Sequence, residues 1–171
     1  MTAPELKADC SQCAALCCLA LALDAGDSFA IDKPAGLPCP NLSGHDCSIH
    51  SQLIPKGYSG CVAYDCLGAG QRVTQEIYDG LSWRDLPKLA GPMITSFAGM
   101  RAIHQRIELL VAAGALPLSV SDEAIRCAHI DKLSAKLDPQ IVAAFPASTA
   151  EKAIDAFVRS LRRYVAQAQT R

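Results

Sequence analysis

The chain has 171 residues, a net charge of -1 and a sequence pI of about 6.4. Half of it is hydrophobic and 19% is charged, which excludes extended disorder, and it lacks the basic excess of a nucleic-acid binder. Nine cysteines stand against 5% aromatic residues, and eight of the nine fall between Cys10 and Cys66. A segment so short of bulky side chains needs staples, either disulfides or metal.

Residues 1–9 carry no basic n-region, and Asp9 stands just before the apolar run Ala14–Leu23. That run is ten residues long, well under the roughly 20 needed to cross a bilayer, and it does not read as a secretory signal. These features predict a cytoplasmic protein with no membrane or nucleic-acid partner. A protein partner is left open. Thiols stay reduced in the cytoplasm, so clustered cysteines there serve as metal ligands rather than disulfides. An odd number of cysteines also disfavours complete pairing.

The first cluster is Cys10-Ser-Gln-Cys13-Ala-Ala-Leu-Cys17-Cys18. Thiolates two residues apart reach one tetrahedral ion through a short turn. Were residues 10–23 one helix, Cys10, Cys13 and Cys17 would share a face, and Cys18 would point about 100° from Cys17. The second cluster comprises Pro38-Cys39-Pro40-Asn41-Leu42, Cys47-Ser-Ile-His50 and Gly60-Cys61-Val-Ala-Tyr-Asp-Cys66. The prolines and glycines around these cysteines place them on loops. Soft donors of this kind exclude Ca²⁺ and Mg²⁺ as the intended ions. Eight thiolates on two Zn²⁺ would leave excess negative charge. Lys33, Lys56, Arg72 or basic groups of the helical half are candidates to offset it.

The chain changes character near Gln71. Residues 1–71 hold three basic and seven acidic side chains, and residues 72–171 hold thirteen and ten. This divides the chain into a cysteine-rich metal-binding module, 1–75, and a helical subdomain, 76–171, as parts of one compact unit. Trp83 and Tyr78 are expected to anchor their junction. Met93, Phe97, Met100, Ile103, Ile107, Leu110 and Val111 recur at three- and four-residue steps, opened by Gly91-Pro92 and closed by Gly114. Ser121-Asp122-Glu123 starts a second helix that should end near Leu137. A short turn is expected over Gln140–Phe145. Ser148 and Glu151 form a capping box for a last helix with Ile154, Phe157, Val158, Leu161 and Val165 along its apolar stripe. Cys127, mid-helix, reads as a buried structural thiol. His104 and His129 read as helix-surface or core-edge residues. The fold class is mainly α: a loop-rich cysteine module packed on a small helical bundle.

The order Cys-x2-Cys-x3-Cys-Cys, Lys-Pro-Ala-Gly-Leu-Pro-Cys-Pro-Asn-Leu, Cys-Ser-Ile-His and Gly-Tyr-Ser-Gly-Cys-Val-Ala-Tyr-Asp-Cys-Leu-Gly-Ala-Gly-Gln resembles the bacterial zinc- or iron-chelating cysteine-rich domain family. It is more similar still to the module found upstream of pentapeptide repeats in actinobacterial proteins. No such repeats occur in this chain. The resemblance covers about residues 10–75 and implies that Cys10, Cys13, Cys17, Cys18, Cys39, Cys47, Cys61 and Cys66 are the metal-binding set. Two departures stand out. Three residues precede the Cys-Cys pair where the broader family has two, and His50 stands where that family often has Tyr. His50 is therefore a candidate extra ligand. The flagellin lysine methylases share a related cysteine pattern, which implies an iron–sulfur cluster.

The function expected is thiolate metal binding, with zinc in structural sites and an iron–sulfur cluster in a redox, sensing or enzyme-accessory role as the alternative. No Ser-His-Asp order, H-E-x-x-H motif or SAM-type glycine loop points to catalysis. Gly68-Ala69-Gly70 lacks the third glycine of a dinucleotide loop.

Overall fold

A computed structural model describes residues 3–168. Among them the fold is mainly α, as the periodicity predicts. The helices are α1 (Leu16–Ala20), α2 (Ser59–Ala63), α3 (Ala69–Arg72), α4 (Ala90–Ala113), α5 (Val120–Ser134), α6 (Pro139–Ala144), α7 (Thr149–Ser160) and α8 (Arg162–Ala168). One small antiparallel ribbon pairs β1 (Leu42–Ser43) with β2 (Asp46–Cys47), with Leu42 opposite Cys47. A single wide turn, Val73–Ile77, continues α3. No described helix is long and apolar enough to cross a membrane.

The long helix α4 is the hub. It packs against α1, α3, α5, α6 and α7, so Met93, Met100, Ile103, Ile107 and Leu110 are fully enclosed. Being surrounded on several sides changes two expectations. His104 is 1% exposed rather than superficial, and Val111 faces outward. His129 does lie at a core edge, its ring 5.5 Å from that of Phe157. The core reaches into the cysteine-rich segment: Ala14, Leu16 and Leu19 join the same buried cluster as Phe97, Met100 and Trp83. Trp83 also donates from its indole N–H to the Ala14 carbonyl at 2.7 Å, and the Tyr78 hydroxyl meets that of Ser96 at 3.1 Å.

Helix boundaries differ from the expected ones where another group captures the cap. Residues 10–23 do not form one helix. A tight turn, Cys10–Gln12, is followed by Ala15 at φ 54°, and only then does α1 begin. The side chain that caps α5 is Ser119, two residues before Ser121; its oxygen accepts from Asp122 N. The same helix stops at Ser134, short of Leu137. Asp138 caps α6 over the expected turn. Ser148 caps α7, whereas Glu151 reaches back past it to the Ala147 N–H. Gly114 closes α4 at φ -62°, without the left-handed turn usual for such a glycine. Leu161 interrupts the last stripe between α7 and α8 and is buried with Tyr164, whereas Val165 is exposed. Cys127 is exposed, contrary to expectation. A helical step of about 100° per residue turns it away from the face that buries Asp122 and Leu133.

Two buried polar residues join the elements. Arg72 is 4% exposed and reaches the α5 end, donating to the carbonyls of Leu133 (3.0 Å), Ser134 (3.2 Å) and Ala135 (2.7 Å) while pairing with Glu76. His104 lies 3.3 Å from an Arg72 nitrogen and 2.5 Å from the Leu67 carbonyl. Arginine can only donate, so Nε2 of His104 accepts and Nδ1–H donates to Leu67. The ring is therefore held neutral. Burial, then the nearby Arg72 charge, lower its pKa to about 4.

This gives a pH dependence. Below the ordinary histidine pKa of about 6.5 the unfolded chain takes up a proton that the folded one refuses until about 4. Stability should be complete above about 6.5, fall as pH drops through that window, and reach a loss of roughly 3 kcal/mol. Urea unfolding between pH 4 and 7 measures it, and His104→Gln should flatten the slope there. A second expectation concerns the α4–α6 contact. A Cβ on Gly99 would stand 1.9 Å from the Val142 carbonyl oxygen. Gly99→Ala should thus destabilise by about 3 kcal/mol or more, read from the denaturation midpoint.

Candidate metal centre

The eight cysteines from Cys10 to Cys66 come from four separated stretches, and backbone contacts explain why they meet. Ala14 N donates to the Thr74 hydroxyl at 3.0 Å, and Gln75 donates to the Gln12 carbonyl at 2.8 Å. These bonds lay the Cys10–Cys13 turn along the start of the helical half. The backbone at Gly70 lies so close to the Cys13 sulfur that an added Cβ would stand 2.5 Å from it. Ala69 N in turn bonds the Cys66 carbonyl at 3.0 Å. On the other side, Cys39 N donates to the Cys18 carbonyl at 3.0 Å, and Leu42 N donates to the Cys39 carbonyl at 3.0 Å. The β1–β2 pairing then returns Cys47 beside Leu42.

Two adjoining neighbourhoods result. Cys10 and Cys13 each lie in the field of Cys17 and Cys66. Cys18 lies in the field of Cys39 and Cys47, and Cys61 in that of Cys39, Cys17 and Cys47. Cys17 borders both groups. All eight are free thiols, and they are half-buried except for the exposed Cys10 and Cys61. Interaction between the adjacent Cys17 and Cys18 thiols draws Cys17 down to about 7 and raises Cys18. Burial pushes Cys13 up to about 11 and also raises Cys10 and Cys61. A bound cation would reverse that penalty. Among the described residues no three His, Cys, Asp or Glu side chains are already closed about one point as an ion requires.

Helix α4 braces one end of this cluster. Arg101 donates to the Asp65 carbonyl and lies over the Tyr64 ring at 4.8 Å, while His104 holds the Leu67 carbonyl. Both flank Cys66. Arg101 and His104 stand three residues apart on α4, and nothing local in the chain connects them to the loop around Cys66. Two buried donors on the cysteine-bearing loops, the Asn41 amide Nδ2 and the Tyr64 hydroxyl, have no partner among the described residues. Thiolate sulfur accepts such bonds. The donor chemistry therefore fits a thiophilic metal. His50 lies exposed in the short turn His50–Gln52, and His45 is spent on the Ser82 hydroxyl at 2.7 Å.

A curated protein from Bacillus subtilis (strain 168), named uncharacterized protein YybG, is 46% identical to this chain over 104 residues. The match takes in 60% of this chain and 37% of that relative, so the chain spans well under half the relative's length. No family model matches the chain, and no solved structure matches it.

The close approach at Gly70 is open to test. Gly70→Ala should force the Cys13 sulfur aside, since a side-chain tip moves more readily than backbone. Far-UV circular dichroism should stay unchanged. Alkylation of Cys13 by iodoacetamide, followed by peptide mass spectrometry, should become several-fold faster. An unaltered Cys13 rate would mean that Gly70 does not confine it.

Proposed function

We propose that this protein binds metal through cysteine thiolates and holds zinc in structural sites, with no catalysis of its own. One observation carries the reading: eight free thiols from four separated stretches lie near enough for Cys10 and Cys13 to feel Cys17 and Cys66, and for Cys18 and Cys61 to feel Cys39, Cys47 and Cys17. Cys10, Cys13, Cys17 and Cys66 would hold one ion, and Cys18, Cys39, Cys47 and Cys61 the other. Four thiolates make a closed tetrahedral shell, which suits a structural ion, because a catalytic zinc keeps a position open. The unpaired donors of Asn41 and Tyr64 support the same reading, since anionic sulfur would satisfy them. The reading places the protein in the cytoplasm, where its thiols stay reduced, and gives it no role in binding nucleic acid.

The same ligands serve an iron–sulfur cluster, so metal identity is the measurement that matters. Protein purified without oxygen should be colourless and carry two zinc ions per chain by elemental analysis. A brown sample absorbing at about 400 nm would replace zinc with an iron–sulfur cluster. Absence of any metal, together with oxidised thiols, would end the reading. Cys39→Ser should release one of the two ions and lower the thermal midpoint by about 10 °C or more, because metal binding free energy is folding free energy.

A further inference from the structure

Lys33 is 4% exposed, an unusual setting for an ammonium group. Its backbone pairs with Leu23 on both sides (Leu23 N to Lys33 O, 2.9 Å; Lys33 N to Leu23 O, 2.8 Å). This fastens it beside the segment that carries Cys17 and Cys18. The chain then turns through Pro34–Leu37 and runs back, with Gly36 N on the Leu19 carbonyl and Cys39 N on the Cys18 carbonyl. The ammonium is enclosed in that turn and donates to the carbonyls of Leu37 (2.7 Å), Pro34 (3.1 Å) and, at 3.5 Å, Leu19.

Carbonyl oxygens orient an ammonium but do not neutralise it. A buried cation without a counter-anion is costly, so its partner must be sought nearby. Among the described residues Lys33 makes no ion pair with a carboxylate. Asp32, beside it in the chain, turns its carboxylate to the Ala25 N–H at 2.8 Å. The acidic groups in whose field Lys33 lies are the thiols of Cys39, Cys18 and Cys17. The other basic residues of this region are committed or remote: Arg72 is spent on Glu76 and the α5 end, Arg101 on the Asp65 carbonyl and the Tyr64 ring, and Lys56 is exposed.

We propose that Lys33 is the built-in counter-cation of the thiolates of Cys39, Cys18 and Cys17, so that its charge, rather than its hydrogen bonds, sets how tightly the group containing Cys18 and Cys39 holds its ion. The proposal rests on the thiolate reading above. It deepens that reading by making the two neighbourhoods unequal: Lys33 lies in the field of Cys39 and Cys18 in one and only of Cys17 in the other, whose Cys66 loop is held by Arg101. A four-thiolate zinc site carries two excess negative charges, and a buried ammonium offsets one of them.

The test compares Lys33→Met, Lys33→Gln and Lys33→Arg in the full chain. Zinc affinity is read by competition with a chromophoric chelator, and folding of the metal-free chain by circular dichroism. Lys33→Gln keeps a donor for the carbonyls and removes the charge. It should weaken one of the two zinc ions tenfold or more and the other, which shares only Cys17 with the field of Lys33, by severalfold less. Lys33→Met should do the same, and Lys33→Arg should stay close to the wild type. Wild-type affinity in Lys33→Gln would overturn the proposal, since Lys33 would then only tie down the turn. If Lys33→Met fails to fold, the Gln and Arg pair decides the question. If the wild type binds no metal, the thiolate-metal reading falls, and Lys33 is judged separately by iodoacetamide alkylation of Cys17, Cys18 and Cys39 in the reduced chain. Several-fold slower alkylation in Lys33→Gln would uphold the pairing, and equal rates would overturn it.

Discussion

The structure depends on how one short segment is shared between two tasks. Residues 14–19 supply both apolar anchors and thiols. Ala14, Leu16 and Leu19 are buried in the core that α4 organises, and Cys17 and Cys18 are left half-buried on the same helical turns, Cys17 at the edge of that core. Burying Leu16 and Leu19 contributes on the order of 2–3 kcal/mol each, enough to fix the position of a segment that has little other structure. Trp83 adds a direct bond to Ala14. The thiols are thus presented from a rigid base although their own loops are short of bulky side chains.

From that base the other cysteines are brought in by backbone hydrogen bonds and a few close approaches. The loop 33–39 runs back along residues 18–23, and the Cys66 loop is held from α4 by Arg101 and His104. Polar burial is concentrated at these joints. Arg72, His104 and Lys33 are all enclosed, yet each has different partners: Arg72 satisfies three carbonyls and a carboxylate, His104 accepts from Arg72, and Lys33 donates to the carbonyls of its own turn in the field of nearby thiols. Buried polar groups with complete partners specify one arrangement of the chain around them. Here that arrangement is what keeps separated cysteines as neighbours.

The periodic segments were the most legible part of the chain. The repeat from Met93 to Leu110 reports a helix because each of those side chains must face the core, and Ser148 with Glu151 reports a helix start because backbone N–H groups there need acceptors. Ends were less legible where two capping groups compete, as between Ser119 and Ser121. His104 and Cys127 exchanged places relative to expectation for one reason. Exposure on a helix depends on how many neighbours surround it, and α4 is enclosed where α5 is not.

The sequence by itself determined the mainly α fold class, the core stripe of α4, the start of α7 and the division of nine cysteines into eight clustered and one apart. Those features follow from spacing and residue chemistry, which are local. Only the tertiary structure decided which cysteines become neighbours, that Ala15 breaks the first helix, and that Lys33 rather than Lys56 is buried in the turn leading to Cys39. Those outcomes depend on contacts between residues far apart in the chain. A charge acquires its partner only when the backbone around it has been folded into place.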